Sequence, residues 1–330
     1  MQNPARIVEI STAYWQSATL MAAIQLRIPS LIGEGSLSAR QLANQAECDE
    51  TALLALLEGL CSLDLLTRNG DSFSNAEITK VFLVDASPTY MGSALLYNAD
   101  VYPKWASLAE TIKSGKPVHS PNEYLGDTET QTRNFVYGMH HRALSVGRAV
   151  INLIDLKSVK TLLDVGGGPG TYSALLAAKY PSLSATVADL PPVIAHARNI
   201  VSSMSGGERV NCIDFDYYQD RLEGSYDAIL ISGVLHREQP DGVRSILSKA
   251  TTALNPGGIL YISDVMVNDE RTGPLFSTMF SINMRVLANH GRAHSVKEQS
   301  AYLNELGLTV TTVNQLPAPI HYTIIRAEKA

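Results

Sequence analysis

The side chains best suited to chemistry in this sequence are carboxylates standing beside glycines at the ends of apolar runs. The stretch Leu162-Leu163-Asp164-Val165-Gly166-Gly167-Gly168-Pro169-Gly170-Thr171 reads as a buried strand entering a glycine turn, followed by a helix over Tyr172 to Lys179. Glycines accept dihedrals closed to other residues, lack a Cβ to collide with a ligand, and leave N–H groups facing the crevice beyond the strand ends. A dinucleotide fingerprint, Gly-x-Gly-x-x-Gly, would put its third glycine at position 171, yet Thr171 stands there and the glycine comes one residue earlier. Downstream, Asp189 in Val187-Ala188-Asp189-Leu190-Pro191 lies about 20 residues past the glycines, the distance at which a carboxylate accepts hydrogen bonds from ribose hydroxyls. After a third β-rich run, Asp214 is placed to accept from an adenine amino group and Phe215 to stack on the ring. An Asp-Phe pair at a strand end equally serves turns and cores, so both readings stand here.

These residues need a scaffold, and the pattern from Val159 onward supplies one. Short β-rich runs alternate with helix-length segments, the signature of a parallel sheet flanked by helices. Strands are predicted near Thr161-Val165, Ala185-Ala188, Val210-Ile213, Ala228-Ser232 and Ile259-Ser263. Thr309-Val313 and His321-Arg326 follow without a helix between them and should pair as an antiparallel hairpin at one side, giving a Rossmann-like, doubly wound, mostly parallel seven-stranded α/β sheet. Residues 99–156 read as a helical connection and 157–330 as the core of a second domain.

The first 98 residues differ in period. Apolar residues recur at three and four, as in Leu53, Leu54, Leu56, Leu57, Leu60 and Leu63, which predicts amphipathic helices. Ser38 with Gln41 has capping-box spacing, Asp49 is placed to cap the next helix, and Asn69-Gly70 marks a tight turn. Helix, turn, helix and hairpin make a winged-helix-like arrangement. A DNA-reading version needs cations facing phosphate, but residues 38–72 hold Arg40 and Arg68 against Glu47, Asp49, Glu50, Glu58, Asp64 and Asp71. A protein-contacting module fits better than a winged-helix regulator, with Tyr14, Trp15, Leu20, Met21 and Ile24 as a subunit interface or an internal core.

Composition narrows the partners. A net charge of -6 offers no attraction to nucleic acid or anionic lipid, and no apolar run reaches the roughly 20 residues that span a bilayer. The N-terminal stretch does not read as a signal peptide. Three cysteines without Cys-x-x-Cys or His/Cys clusters suggest neither disulfides nor a metal site, and suit a reducing cytoplasm.

Asp164-x-Gly-Gly-Gly-x-Gly, Asp189-Leu190-Pro191, Asp214-Phe215, Gly233-Val234-Leu235-His236 and Pro256-Gly257-Gly258, in this order, resemble the motifs of class I S-adenosylmethionine (SAM) dependent small-molecule O-methyltransferases, the group related to caffeic acid O-methyltransferase. The resemblance spans essentially the whole chain. It implies SAM as cofactor and S-adenosylhomocysteine (SAH) as product, with Asp164, Gly166 and Gly168 serving the methionine end, Asp189 and Leu190 the ribose, and further contacts from Phe135-x-x-x-Met139 and Ser232. An ammonium beside Asp164 would gain charge-assisted hydrogen bonds, whereas a pyrophosphate would be repelled. The resemblance also implies a homodimer formed through an N-terminal winged-helix dimerisation domain, with Trp15 a candidate for closing the partner's substrate pocket.

Methyl transfer from a sulfonium is an in-line displacement, so donor and acceptor must be aligned, the acceptor proton removed and water kept out. In the resembling enzymes the base is the histidine after the fourth strand, here His236. A neutral imidazole accepts a phenolic proton, and a carboxylate on its other nitrogen fixes the tautomer. Asp264, ending the fifth strand, is placed for that role, where the family usually has Glu. Two departures stand out. His236-Arg237-Glu238 replaces His-Asp-Trp, and the segment His290-Gly291-Arg292-Ala293-His294 holds no second histidine-orienting carboxylate. C- or N-methylation, or a non-methylating reaction such as a decarboxylation or pericyclic step, therefore stays open beside O-methylation. Phe276, Met279, Phe280, Asn283, Met284 and Leu287 share helical spacing and, with Met266 and the pair His140-His141, suit a flat aromatic acceptor, although such stripes are also simply core.

Overall fold

The computed structural model describes residues 3–120, 122–318 and 320–330. Two compact units divide the chain between Tyr102 and Pro103. That is slightly beyond the 98/99 boundary read from the sequence, because a helix runs unbroken over Gly92–Val101.

The first unit comprises α1 (Ala5–Thr12), α2 (Tyr14–Gln25), α3 (Ile28–Ile32), β1 (Leu37–Ser38), α4 (Ala39–Ala46), α5 (Glu50–Ser62), β2 (Leu66–Asn69), β3 (Ser72–Asn75), α6 (Glu77–Phe82) and α7 (Gly92–Val101). The anticipated caps form. Ser38 and Gln41 make the reciprocal capping box of α4, and Asp49 Oδ1 accepts from Ala52 N at 2.8 Å at the start of α5. The three strands lie in the order β1-β3-β2. Behind them Ile28, Leu42, Leu57 and Phe73 are buried together. Buried Asn75 ties this core down, its Nδ2 donating to the carbonyls of Pro29 and Gly33 at 2.8 Å each. Arg68 is taken up by Glu58 at 2.8 Å, which leaves the acidic helix pair still poorer in cations. Of the N-terminal apolar residues, Met21 and Ile24 are core, whereas Tyr14 and Trp15 stay exposed, as do Ile7, Val8 and Ile10 on α1.

The second unit contains α8 (Leu108–Ser114), α9 (Glu129–Asn152), β4 (Thr161–Val165), α10 (Thr171–Lys179), β5 (Ser184–Asp189), α11 (Pro191–Ser202), β6 (Val210–Asp214), β7 (Tyr226–Ser232), α12 (Pro240–Ala253), β8 (Leu254–Asp264), α13 (Leu275–Leu287), α14 (Val296–Glu305), β9 (Leu308–Gln315) and β10 (Thr323–Lys329). Seven strands form one sheet in the order β6-β5-β4-β7-β8-β10-β9. The first five are parallel, and β10 runs antiparallel to both neighbours. The order reverses at β4, which opens a crevice beyond the C-terminal ends of β4 and its neighbours. Both faces are covered, so the central strands are near-continuous apolar runs such as Ala228 to Ile231.

One strand departs from the sequence reading. β8 starts at Leu254, which pairs with Tyr226, and Asn255 to Gly258 then bulge out of the ladder before Ile259 pairs with Ala228. Tyr261, the largest fully buried side chain, crosses the core so that its hydroxyl accepts from Asp155 N at 3.2 Å and donates to Asp155 O at 3.1 Å. Tyr261→Phe removes both bonds while keeping the ring. Urea unfolding should lose about 1 kcal/mol with an unchanged m value, the usual loss for such a buried bond.

Candidate active site

Strand ends and the turns after them bring the sequence-derived residues to one side of the second unit. Gly166, Gly168 and Gly170 have φ of +64°, +55° and +71°, dihedrals that only glycine adopts without strain. A Cβ on Gly166 would lie 2.5 Å from Val234, whereas one on Gly168 would meet nothing within 4 Å. The Gly168 side of the turn is therefore the open one. Asp164 is buried beneath Gly167; its Oδ2 accepts from Ser173 Oγ at 2.7 Å, and its Oδ1 has no hydrogen-bond partner among the described residues. Burial pushes this carboxyl up to about 7.

Asp189 is fixed by two backbone donors. Gly168 N donates to Oδ2 and Leu190 N to Oδ1, each at 2.7 Å, so the carboxylate lies against the open glycine with lone pairs to spare. Asp214 lies level with it in the β5–β6 register and is half-exposed beside Arg198. Phe215 differs from its expected placement. It is 5% exposed and packed with Ile231, Val234 and Leu235, because a ring at the end of the edge strand β6 gains more from the core than from an open stacking face. Its amide donates to Asp189 O at 2.8 Å, so it supports the site by backbone and bulk.

Met139 lies half-buried on α9, where the neighbouring His140 shares a 2.8 Å hydrogen bond between Nδ1 and Thr171 Oγ1 at the start of α10. Burial holds the His140 imidazole down to about 4. Thr171, the residue that breaks the dinucleotide spacing, thus meets a partner that stays neutral near pH 7.

On the other side of the crevice, Ser232 ends β7 and Gly233 (φ +71°) turns the chain so that a short 3-10 turn carries His236 back toward β8. His236 Nδ1 lies 2.6 Å from Asp264 Oδ1, and His236 N donates to Asp264 Oδ2 at 3.2 Å. In the neutral ring the carboxylate must accept, so there Nδ1 carries the proton and Nε2 keeps its lone pair. Phe280 meets the imidazole edge-on, with ring centroids 4.7 Å apart and planes at 82°, and Phe276 stacks between Phe280 and His321. Ala293 is buried with its amide on Ser281 Oγ, and the neighbouring Arg292 N donates to His236 O at 2.8 Å. The loop that lacks a second carboxylate therefore holds the histidine backbone.

Of the expected acceptor-side residues, Phe280 and Asn283 are half-buried and Met279 is 43% exposed along α13. Met266 is not among them. It is buried with Leu235, Val243 and Tyr302, in the same core as Leu260 and Ile262 of β8. The sequence reading missed Trp105, whose Nε1 donates to Asn283 Oδ1 at 2.9 Å. Trp105 follows Pro103 in a short 3-10 segment with no periodicity to mark it. Trp15 belongs to the first unit and is 60% exposed there.

A glycine turn at the switch point of a parallel sheet, flanked by two carboxylates and facing a histidine, defines an α/β nucleoside-binding enzyme. Comparison with known proteins gives the family. Residues 105–309 match the O-methyltransferase domain and residues 8–85 the O-methyltransferase dimerisation domain. The 3-hydroxy-5-methyl-1-naphthoate 3-O-methyltransferase of Streptomyces sahachiroi is 27% identical over 99% of this chain and 96% of its own. The tetracenomycin polyketide synthesis 8-O-methyl transferase TcmO of Streptomyces glaucescens is 26% identical over 97% and 95%. A solved O-methyltransferase family protein from Burkholderia thailandensis superposes with a TM-score of 0.88 at 26% identity, covering 100% of this chain and 99% of that one. The chain belongs to the SAM-dependent O-methyltransferase family and carries both of its domains.

The residues present fit that cofactor. Asp164 keeps an unpartnered buried oxygen, which suits a cationic group reached directly or through water, and the space over Gly168 lies beside the Asp189 carboxylate. No cluster of metal-binding type occurs among the described residues, and no helix among them is long and apolar enough to cross a membrane.

Asp164 gives this site a pH signature. Its unfolded value is near 3.8 and its folded value about 7, so between these the folded chain holds a proton that the unfolded chain lacks. Its contribution to stability is complete below pH 4 and is lost as pH rises through 7. Asp164→Asn should flatten this fall between pH 5 and 7 in urea midpoints of the unliganded protein, and an unaltered slope would show that the carboxyl is already ionised there.

Proposed function

We propose that this enzyme moves the methyl group of SAM to a hydroxyl of a small aromatic acceptor, with His236 as general base. The observation that carries the reading is the His236–Asp264 pair, which engages Nδ1 and leaves Nε2 as the candidate proton acceptor on a ring that meets Phe280 edge-on. The cofactor supplies an electrophilic methyl on a sulfonium. Everything else falls to the protein: Asp164, Gly166 and Gly168 receive the methionine end, Met139 and Ser232 flank it, Asp189 and Leu190 take the ribose, and Asp214, backed by Phe215, takes the adenine. Nε2 would take the hydroxyl proton of the acceptor, and Asp264 would stabilise the imidazolium so formed.

The acceptor class follows from α13. Phe276 and Phe280 present stacked rings beside the base, Met279 adds a polarisable thioether, and Asn283, held by Trp105, offers its amide as a polar handle. The matched naphthoate and tetracenomycin enzymes, named for aromatic and polyketide substrates, support the same class. With one carboxylate on its histidine, the site suits acceptors whose hydroxyl is acidic, as in phenols of secondary metabolism. A second copy of the chain is the proposed partner, covering the exposed apolar residues of α1 and Trp15. Free cysteines at 48, 61 and 212 suit the reducing cytoplasm.

Methyl-labelled SAM with a panel of phenols tests the activity, and His236→Ala tests the base. Catalysis should fall about 10²- to 10⁴-fold, the range for loss of a general base, while SAH affinity stays at the native level. Label transfer by His236→Ala at the native rate would remove the histidine from the chemistry, and label found on carbon or nitrogen would redirect the acceptor assignment.

A further inference from the structure

Two residues after His236, a glutamate is buried that the proposed chemistry does not use. Glu238 is 2% exposed. A carboxylate taken out of water needs donors, and here adjacent phenols supply them. Tyr217 Oη donates to Glu238 Oε1 at 3.0 Å and Tyr218 Oη to the same oxygen at 2.5 Å. The other oxygen lies against Gly242 on the first turn of α12, where an added Cβ would come within 2.6 Å of it. The position just ahead of the α12 N-terminus also favours negative charge. Burial raises both phenols, Tyr218 to about 12, so they remain donors across the physiological range.

Tyr217 and Tyr218 form the turn that directly follows Asp214 and Phe215. The same turn is held from α12 by Lys249, whose Nζ donates to the carbonyls of Tyr217 at 2.6 Å, Tyr218 at 3.4 Å and Asp220 at 2.8 Å. On the histidine side, the Glu238 carbonyl accepts from buried His294 Nε2 at 3.0 Å, joining it to the loop that holds the His236 backbone. One short segment, 236–238, therefore links the base to the loop at the adenine end.

We propose that Glu238 is a positioning residue for the methyl donor: by clamping Tyr217 and Tyr218 it fixes Asp214 at the adenine end of the crevice in register with His236. The proposal rests on the reading of that crevice as the SAM site. It accounts for the glutamate at this position as a structural replacement within the cofactor wall, acting through the two tyrosines.

Calorimetric titration of SAH into the full chain, with steady-state kinetics, tests it. Native SAH affinity comes first, since its absence would sink the donor reading itself and not the clamp alone. Glu238→Leu should weaken SAH binding and raise KM for SAM about ten-fold, the loss expected for hydrogen bonds to a charged group, with kcat within about two-fold. Glu238→Gln keeps an Oε1 that accepts both phenols and should restore affinity to within about three-fold. Native SAH affinity in a folded Glu238→Leu protein, or a Gln variant as weak as the Leu one, overturns the clamp. Should Glu238→Leu fail to fold, Tyr218→Phe removes one donor from the solvent side: SAH binding weakened about three-fold supports the clamp, and native binding refutes it.

Discussion

The hydrogen bond from His236 Nδ1 to buried Asp264 is the constraint around which the second unit is arranged. It fixes the proton of the neutral ring on one nitrogen, and it does so with a carboxylate that also accepts from the amides of His236 and Val265. Three donors on one buried carboxylate offset the cost of taking it out of water. That arrangement demands that β7 and β8 end level, which the parallel register from Ala228 opposite Ile259 to Ser232 opposite Ser263 provides. The glycine at 233 then turns the chain back over Asp264 in the space of three residues.

The opposite wall is built on a different balance. Asp164 and Asp189 are both shifted toward the neutral form by burial, yet they differ in what answers them. Asp189 is satisfied by two backbone amides, which makes it a preorganised acceptor. Asp164 has only a serine hydroxyl on one oxygen, so the unliganded site carries an unmet electrostatic demand next to the glycine turn. A cation bound there relieves the demand. The two carboxylates thus differ in what they lack: Asp164 wants a donor, and Asp189 has its donors fixed by the backbone.

Much of this was legible because parallel strands buried on both faces spell themselves out as short apolar runs ending in glycine or aspartate. Thr161 to Val165 and the turn after it needed no tertiary information, and the His236–Asp264 pairing followed from the family resemblance that singled out His236 together with the expected strand order. The sequence could not show which way a side chain faces once a strand has ended. Phe215 and Met266 both sit beside functional residues and both turn into the core. Nor could it show partners separated along the chain: Trp105 meets Asn283 across 178 residues, and Glu238 meets Tyr217 and Tyr218 through a fold contact that no local pattern encodes. The start of β8 was obscured by Pro256-Gly257-Gly258, turn formers that here bulge out of the ladder between Leu254 and Ile259, with Gly257 at φ +71°.

The antiparallel strand β10 lies between β8 and β9 and pairs with β8 from Thr323 opposite Asp264 to Glu328 opposite Ile259. The strand that carries the carboxylate beneath His236 is therefore interior only once residues 323–329 have been made. During synthesis β8 is the rim of an incomplete sheet, its outward amides and carbonyls open to water, and the histidine rests on a foundation still free to shift. The steadiness of the His236–Asp264 pair is thereby tied to a strand made long after the glycine turn: the nascent chain can shape the turn at 166–170 early, but Asp264 gains its full backing only once β10 has closed over β8.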